Sequence, residues 1–138
     1  MFEEILIPLQ LIDALGRITG KTRFQKLIFL IQKEAEREGI EGLKIEYGIH
    51  YYGPFSSELA STIENLSLRG FIQENAEMTP SGYMRCDYRL TDKGRELLHN
   101  AIEKGAISPE LRRIVQKIAD DYGELPLPQL VQEAYRQY

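Results

Sequence analysis

The sequence predicts an α+β protein that is mostly helical, with a small antiparallel sheet and a helical C-terminal end. Three observations predict it. Apolar residues recur at helical spacing along most of the chain, as in "FQKLIFLIQKEA". Two stretches, "KIEYGIHYYG" and "YMRCDYRL", alternate instead with period two, as strands with one buried face do. Serine, threonine, glycine and proline mark the places where these segments start and stop. A chain of 138 residues with 43% hydrophobic content is enough for one compact core and too short for two ordinary domains.

Each element follows from local pattern. Phe2, Ile5, Leu6, Leu9 and Ile12 share one face of a first helix, which starts at or bends around Pro8. Gly16 and Gly20 bracket a short loop. Thr22 then opens a second helix with a T-x-x-Q capping box to Gln25. Phe24, Leu27, Ile28, Ile31 and Ala35 form its inner stripe, and Phe29 and Leu30 make its middle apolar nearly all round. That pattern places it at the centre of the core. Ile45, Tyr47, Ile49 and Tyr51 predict a strand that Gly53-Pro54 ends. Ser56 caps a third helix with Leu59, Ala60, Ile63 and Leu66 inward, closed by Gly70. Phe71 to Glu74 reads as a strand, "NAEMTPSG" as a turn, and Met84, Cys86, Tyr88 and Leu90 as the inner face of the returning strand. Thr91 caps a fourth helix. Ser108-Pro109-Glu110 starts a fifth, with Leu111, Ile114, Val115, Ile118 and Tyr122 inward. A last helix after Pro126 or Pro128 carries Leu130, Val131, Ala134, Tyr135 and Tyr138.

Several chemistries are excluded by what the chain lacks. "GRITGKT" ends like a phosphate-binding loop, but Gly16 and Gly20 have three residues between them rather than four. The residues before it read as helix, where such a loop follows a buried strand. "GPFSS" is not a nucleophile elbow. His50 and His99 are isolated and Cys86 is the single cysteine, so neither a metal site nor a disulfide is expected. No apolar run approaches the roughly 20 residues of a membrane span, and no secretory signal is visible. A cytoplasmic protein without cofactor or catalytic residues is therefore expected. Net charge is −4, so any contact with nucleic acid has to use a local patch.

Such a patch exists. Arg17, Lys21, Arg23 and Lys26 crowd the start of the second helix, with no acid among them. Cations at a helix N-terminus are unfavourable by about 0.3–1 kcal/mol each, and a phosphate oxygen would relieve that cost. The competing arrangement pairs these cations with acids elsewhere or lays their stems over apolar surface. On the third helix, Ser57, Ser61, Thr62, Asn65 and Arg69 lie away from the apolar face, where short polar groups reach base edges. Glu58 and Glu64 share that helix and would repel phosphate. Arg85 and Arg89 stand on the returning strand, offset by Glu77 and Asp87.

The element order resembles a winged helix-turn-helix. "YGPFSSELASTIENLSLRGFIQ" looks like a recognition-type helix entering the first wing strand, and "YRLTDKG" resembles the wing closure of MarR- and PadR-like regulators. More narrowly, "GKTRFQKLIFLIQ", "YYGPFSSEL" and "YGELPLPQLVQEAYRQY" are similar to the YwgA-like proteins, a group related to the Panacea (SocA-like) antitoxin domains. The resemblance implies a winged-helix core over residues 1–106. Residues 107–138 would be a helical extension, packed on that core or in a homodimer interface. It implies one of two uses: a transcriptional regulator binding double-stranded DNA, or an antitoxin-type module binding a protein partner. In the first use Ser57, Ser61, Thr62, Asn65 and Arg69 face the major groove, Arg85 serves the wing, and the four cations meet phosphates.

Overall fold

The structure, a computed structural model, describes residues 3–138. Phe2, assigned above to the first apolar face, lies outside the described residues. In chain order the elements are α1 (Glu3–Leu15), β1 (Ile18–Thr19), α2 (Lys21–Arg37), β2 (Gly48–His50), β3 (Gly53–Phe55) and α3 (Ser57–Leu68). Then come β4 (Ile72–Met78), β5 (Met84–Leu90), α4 (Asp92–Glu103), α5 (Pro109–Tyr122) and α6 (Leu127–Gln137). The strands make two antiparallel groups, a sheet in the order β1-β5-β4 and the β2-β3 hairpin. The α+β class with a small antiparallel sheet is thus the observed one.

α2 runs through the middle. Phe24, Leu27, Ile28, Leu30 and Ile31 are fully enclosed, as the all-round apolar pattern requires. α5 and α6 pack directly on α2, and α1 packs on α5, α4, α3 and β5. Leu111, Ile114, Val115, Ile118, Leu130 and Ala134 of the C-terminal helices therefore belong to the same core cluster as α1 and α2. Pro8 is buried inside α1 and does not start it.

The polar residues of α2 decide the path of the connection to α3. Gln32 donates to the Ile45 carbonyl and accepts from the Ile45 amide, both at 2.9 Å. Gln25 does the same for Ser56, at 2.9 and 3.0 Å. Lys26 Nζ donates to the Pro54 carbonyl at 2.9 Å. Side chains thus satisfy backbone that a sheet would otherwise satisfy. This corrects two expectations. The strand over residues 45–51 shrinks to Gly48–His50, paired only with β3, and Ile49 and Tyr51 point to solvent. The T-x-x-Q box does not form either: Gly20, at φ 96°, is the N-cap with no side-chain cap, because Thr22 already lies inside the helix and Gln25 is committed to Ser56.

Other signals act where expected. Ser56, Thr91 and Ser108 each accept from the amide three residues on. A Cβ on Gly94 would fall 2.1 Å from the Phe71 carbonyl oxygen, so the entry to α4 packs against the entry to β4 only with glycine. The β4-β5 hairpin is longer than "NAEMTPSG" implies, running in register from Ile72↔Leu90 to Met78↔Met84. Its outer half projects beyond the core, so Met84, expected inward, is exposed.

An ion cluster joins the C-terminal end of α2 to α5. Glu34 accepts from Arg37 at 2.6 Å and from Lys117 at 3.0 Å. These bonds hold its carboxyl down at about 2.

Gln25→Leu keeps the volume but leaves the Ser56 amide buried without a partner, while the Ser56 carbonyl keeps only the Ala60 amide, at 3.1 Å. Urea unfolding is expected to show a loss of about 1–3 kcal/mol, the desolvation penalty of the unpaired amide. A second expectation concerns acid. A carboxyl whose folded pKa lies below its unfolded value stabilises above the unfolded value, near 4.5, and stops doing so as pH falls toward 2. The stability difference between wild type and Glu34→Gln, followed by thermal melts, should be constant at neutral pH and disappear between these limits.

Candidate nucleic-acid interface

The side of the molecule that carries the candidate residues is built from the first turn of α2, the outer face of α3 and the β4-β5 hairpin. A cleft of about 360 Å³ lies where they meet, lined by Lys21, Phe24 and Gln25 of α2, Ala60, Ile63 and Glu64 of α3, Glu74 of β4 and Tyr88 of β5. Phe24 and Tyr88 meet edge to face at 5.0 Å and form its floor. Phe55 continues the wall toward the β2-β3 hairpin.

The four cations near the start of α2 separate into different environments. Arg23 reaches the far end of α5 and donates to the Gly123 and Leu125 carbonyls at 3.2 and 2.7 Å. It satisfies carbonyls that the helix end leaves unpaired. Lys26 is 1% exposed and donates to Pro54. Burial without a nearby carboxylate pushes its ammonium down to about 8. Arg17 is exposed and lies 3.9 Å from Asp87. Lys21 is exposed and, among the described residues, makes no ion pair with a side chain. The crowding visible in sequence is therefore shared out between an inter-helix cap, a buried anchor, a weak surface pair and one open cation.

Asp87 organises the sheet side. It is 3% exposed and sits on β5 opposite Thr19 of β1. Arg85 grips it through Nε at 2.9 Å and a terminal nitrogen at 3.2 Å, and also lies 3.8 Å from Glu77. The acids set against Arg85 in the sequence do engage it.

α3 presents Ser57, Ser61 and Asn65 to solvent in one row. Thr62 turns its hydroxyl back to the Glu58 carbonyl at 3.1 Å. Arg69 ends the helix, its guanidinium exposed and its carbonyl bonded by Lys93 at 2.8 Å. Burial, together with the neighbouring Glu58, raises the Glu4 carboxyl of α1 above its ordinary value. Glu64 stays beside Lys21 in the cleft.

The aromatic tip of the β2-β3 hairpin is the feature that periodicity misplaces. Tyr51 and Tyr52 form its two-residue turn, 96% and 64% exposed. Gly53 follows at φ 92°, and a Cβ there would meet the Tyr135 ring at 3.4 Å and Lys26 Cε at 3.6 Å. The alternation treats Tyr51 as inward. The signal that could have corrected it is the Tyr-Tyr-Gly-Pro turn composition.

Among the described residues no group of three or more histidines, cysteines or acids gathers as a metal site, and no helix is long and apolar enough to cross a membrane.

No protein-family profile matches the chain. A curated relative, the "Uncharacterized protein YwgA" of Bacillus subtilis (strain 168), is 37% identical over 86 residues. The match covers 62% of this chain and 48% of the relative, so the chain spans about half the length of the curated relative it matches. The similarity to YwgA-like proteins stated from the motifs is supported by this match.

Lys26 gives a linkage test. Its folded pKa lies below its unfolded value near 10.5, so between about 8 and 10.5 the unfolded chain holds more protons and stability rises with pH. Thermal melts over this range should show wild type gaining stability relative to Lys26→Met, which lacks the titrating group.

Proposed function

We propose that this chain is a DNA-binding protein of winged-helix arrangement, acting as a transcriptional regulator rather than as an enzyme. The observation that carries the reading is the cleft that Lys21 shares with α3, the helix that bears the exposed polar row. The exposed Lys21 lines one cleft with Ala60, Ile63 and Glu64 of α3 and with Glu74 and Tyr88 of the β4-β5 sheet, and Ser57, Ser61 and Asn65 are exposed on the same helix. The topology supports it: α3 leads through Gly70 into β4, β4 pairs with β5, and β5 pairs with β1. In this reading α3 enters the major groove and its short polar side chains meet base edges. Lys21 and the α2 terminus meet a phosphate. Arg69 takes a backbone position at the end of α3. The β4-β5 hairpin flanks the duplex as the wing, where Arg85 reaches DNA only by releasing Asp87. Arg17 adds charge at the margin, while Arg23 and Lys26 act indirectly, by fixing the α2 terminus against α5 and β3.

A second reading, a protein-interaction module of antitoxin type, is favoured by one observation. Leu68, Met78, Tyr83 and Met84, at the end of α3 and the outer hairpin, are all more than 60% exposed. Such side chains suit an apolar partner surface better than a phosphate backbone. A homodimer through α5 and α6 belongs to the first reading and would place two copies of α3 on successive half-sites.

Fluorescence anisotropy with mixed-sequence duplexes between about 50 and 200 mM salt separates the readings. A DNA binder is expected to lose affinity with a log–log slope near −0.9 per phosphate contact, and Lys21→Ala should reduce the slope by about one contact. Absence of duplex binding at the lowest salt, with unchanged folding by circular dichroism, rejects the DNA reading.

A further inference from the structure

The tip of the β2-β3 hairpin and the first turns of α2 enclose a second cleft, of about 210 Å³. Lys21, Thr22, Gln25 and Lys26 form one wall, and His50, Tyr51, Tyr52 and Phe55 the other. Its charge is unusual for this acidic chain. No carboxylate lines it, whereas three other clefts on the surface carry two or three glutamates each. Lys26 lies at its base, 1% exposed, with the Pro54 carbonyl as hydrogen-bond partner and no ion pair among the described residues. A buried ammonium without a counter-ion is costly, and an anion in the cleft would offset that cost.

The opposite wall is aromatic and rigidly mounted. His50 packs on Phe55 at 4.6 Å between ring centres. The Tyr135 hydroxyl donates to the His50 carbonyl at 3.1 Å, and Lys26 and Gln25 fasten the strand after the tip. Tyr51 and Tyr52 are thus held out to solvent on a fixed base. Two large exposed rings beside the exposed Lys21, with the Lys26 ammonium buried beneath, present a π-face and a positive charge together. That is the chemistry that recognises a nucleotide, whose base stacks and whose phosphate pairs.

We propose that this cleft takes an unpaired nucleotide of a nucleic-acid strand, its base stacked on Tyr51 or Tyr52 and its phosphate facing Lys21, above the buried ammonium of Lys26. A strand is the fitting source, rather than a free nucleotide, because the cleft is small, about 210 Å³, and adjoins the larger cleft against α3. Lys21, Gln25 and Phe55 line both clefts. A base inside an intact duplex offers no free face to the tyrosines, so the ligand is a single-stranded extension or junction beside the duplex. The inference rests on the nucleic-acid reading of the adjoining face, and its test separates the two.

The test measures anisotropy at fixed salt for a blunt duplex, the same duplex with a four-nucleotide single-stranded extension, a twelve-nucleotide oligothymidine, and adenosine monophosphate as competitor. The extended duplex is expected to bind on the order of tenfold tighter than the blunt one, the range of one stacked base. Tyr51→Ala/Tyr52→Ala should erase that increment without changing blunt-duplex affinity, and Tyr51→Phe/Tyr52→Phe should keep it, since stacking needs the ring and not the hydroxyl. Tyrosine-dependent binding of oligothymidine without blunt-duplex binding supports the cleft and removes the duplex reading. Equal affinity for blunt and extended duplexes removes the cleft and leaves the duplex reading standing. An increment that survives the alanine pair, failure to bind any strand, or displacement by adenosine monophosphate at concentrations as low as those of the oligonucleotide each overturn the proposal.

Discussion

The structure depends on three buried polar side chains of α2. Gln25, Lys26 and Gln32 lie within a helix that is otherwise enclosed in apolar contacts, and each is bonded to backbone between residues 45 and 56. A buried peptide group without a partner costs about 1–3 kcal/mol, so a connection that enters the core outside a sheet needs such donors and acceptors. The two glutamines meet the amide and carbonyl of a single residue simultaneously, as a neighbouring strand would. The connection is thereby fixed in register without belonging to a sheet. The start of α3, the turn of Tyr51 and Tyr52, and the cleft beneath them all inherit their positions from this arrangement.

Charge is distributed by the same logic. Cations crowded at one helix terminus are unfavourable together, and the fold disperses them. Arg23 is drawn to the end of α5, Lys26 to Pro54, and Arg17 toward Asp87, which Arg85 already holds. What reaches solvent unpaired is mainly Lys21. A positive cluster in sequence has become one open cation, one buried ammonium, one structural guanidinium and one weakly paired surface guanidinium. That redistribution narrows the surface on which an anion can be met, and it moves the acid-free region toward the hairpin tip.

Much of the fold was legible because its signals are local. The caps at Ser56, Thr91 and Ser108 need only a side chain and an amide three residues away. The enclosure of α2 follows from apolar residues on every side. The failures share a different cause. Thr22 and Gln25 form a valid capping pattern, but Gln25 gains more from a buried peptide group than from an exposed helix end. Residues 44–51 have strand periodicity, but no strand lies beside most of them. Met84 continues the alternation of β5 where the hairpin has already left the core.

The sequence by itself determined the α+β class, the six helical segments, most of their boundaries and the polar row of α3, because spacing and capping are properties of neighbours along the chain. Only the tertiary structure decided which cations remain open, which glutamines brace the connection, and that Tyr51 and Tyr52 stand outward beside Lys21. Those outcomes join residues 13 to 102 positions apart. Each depends on a buried group finding a partner that no local pattern announces.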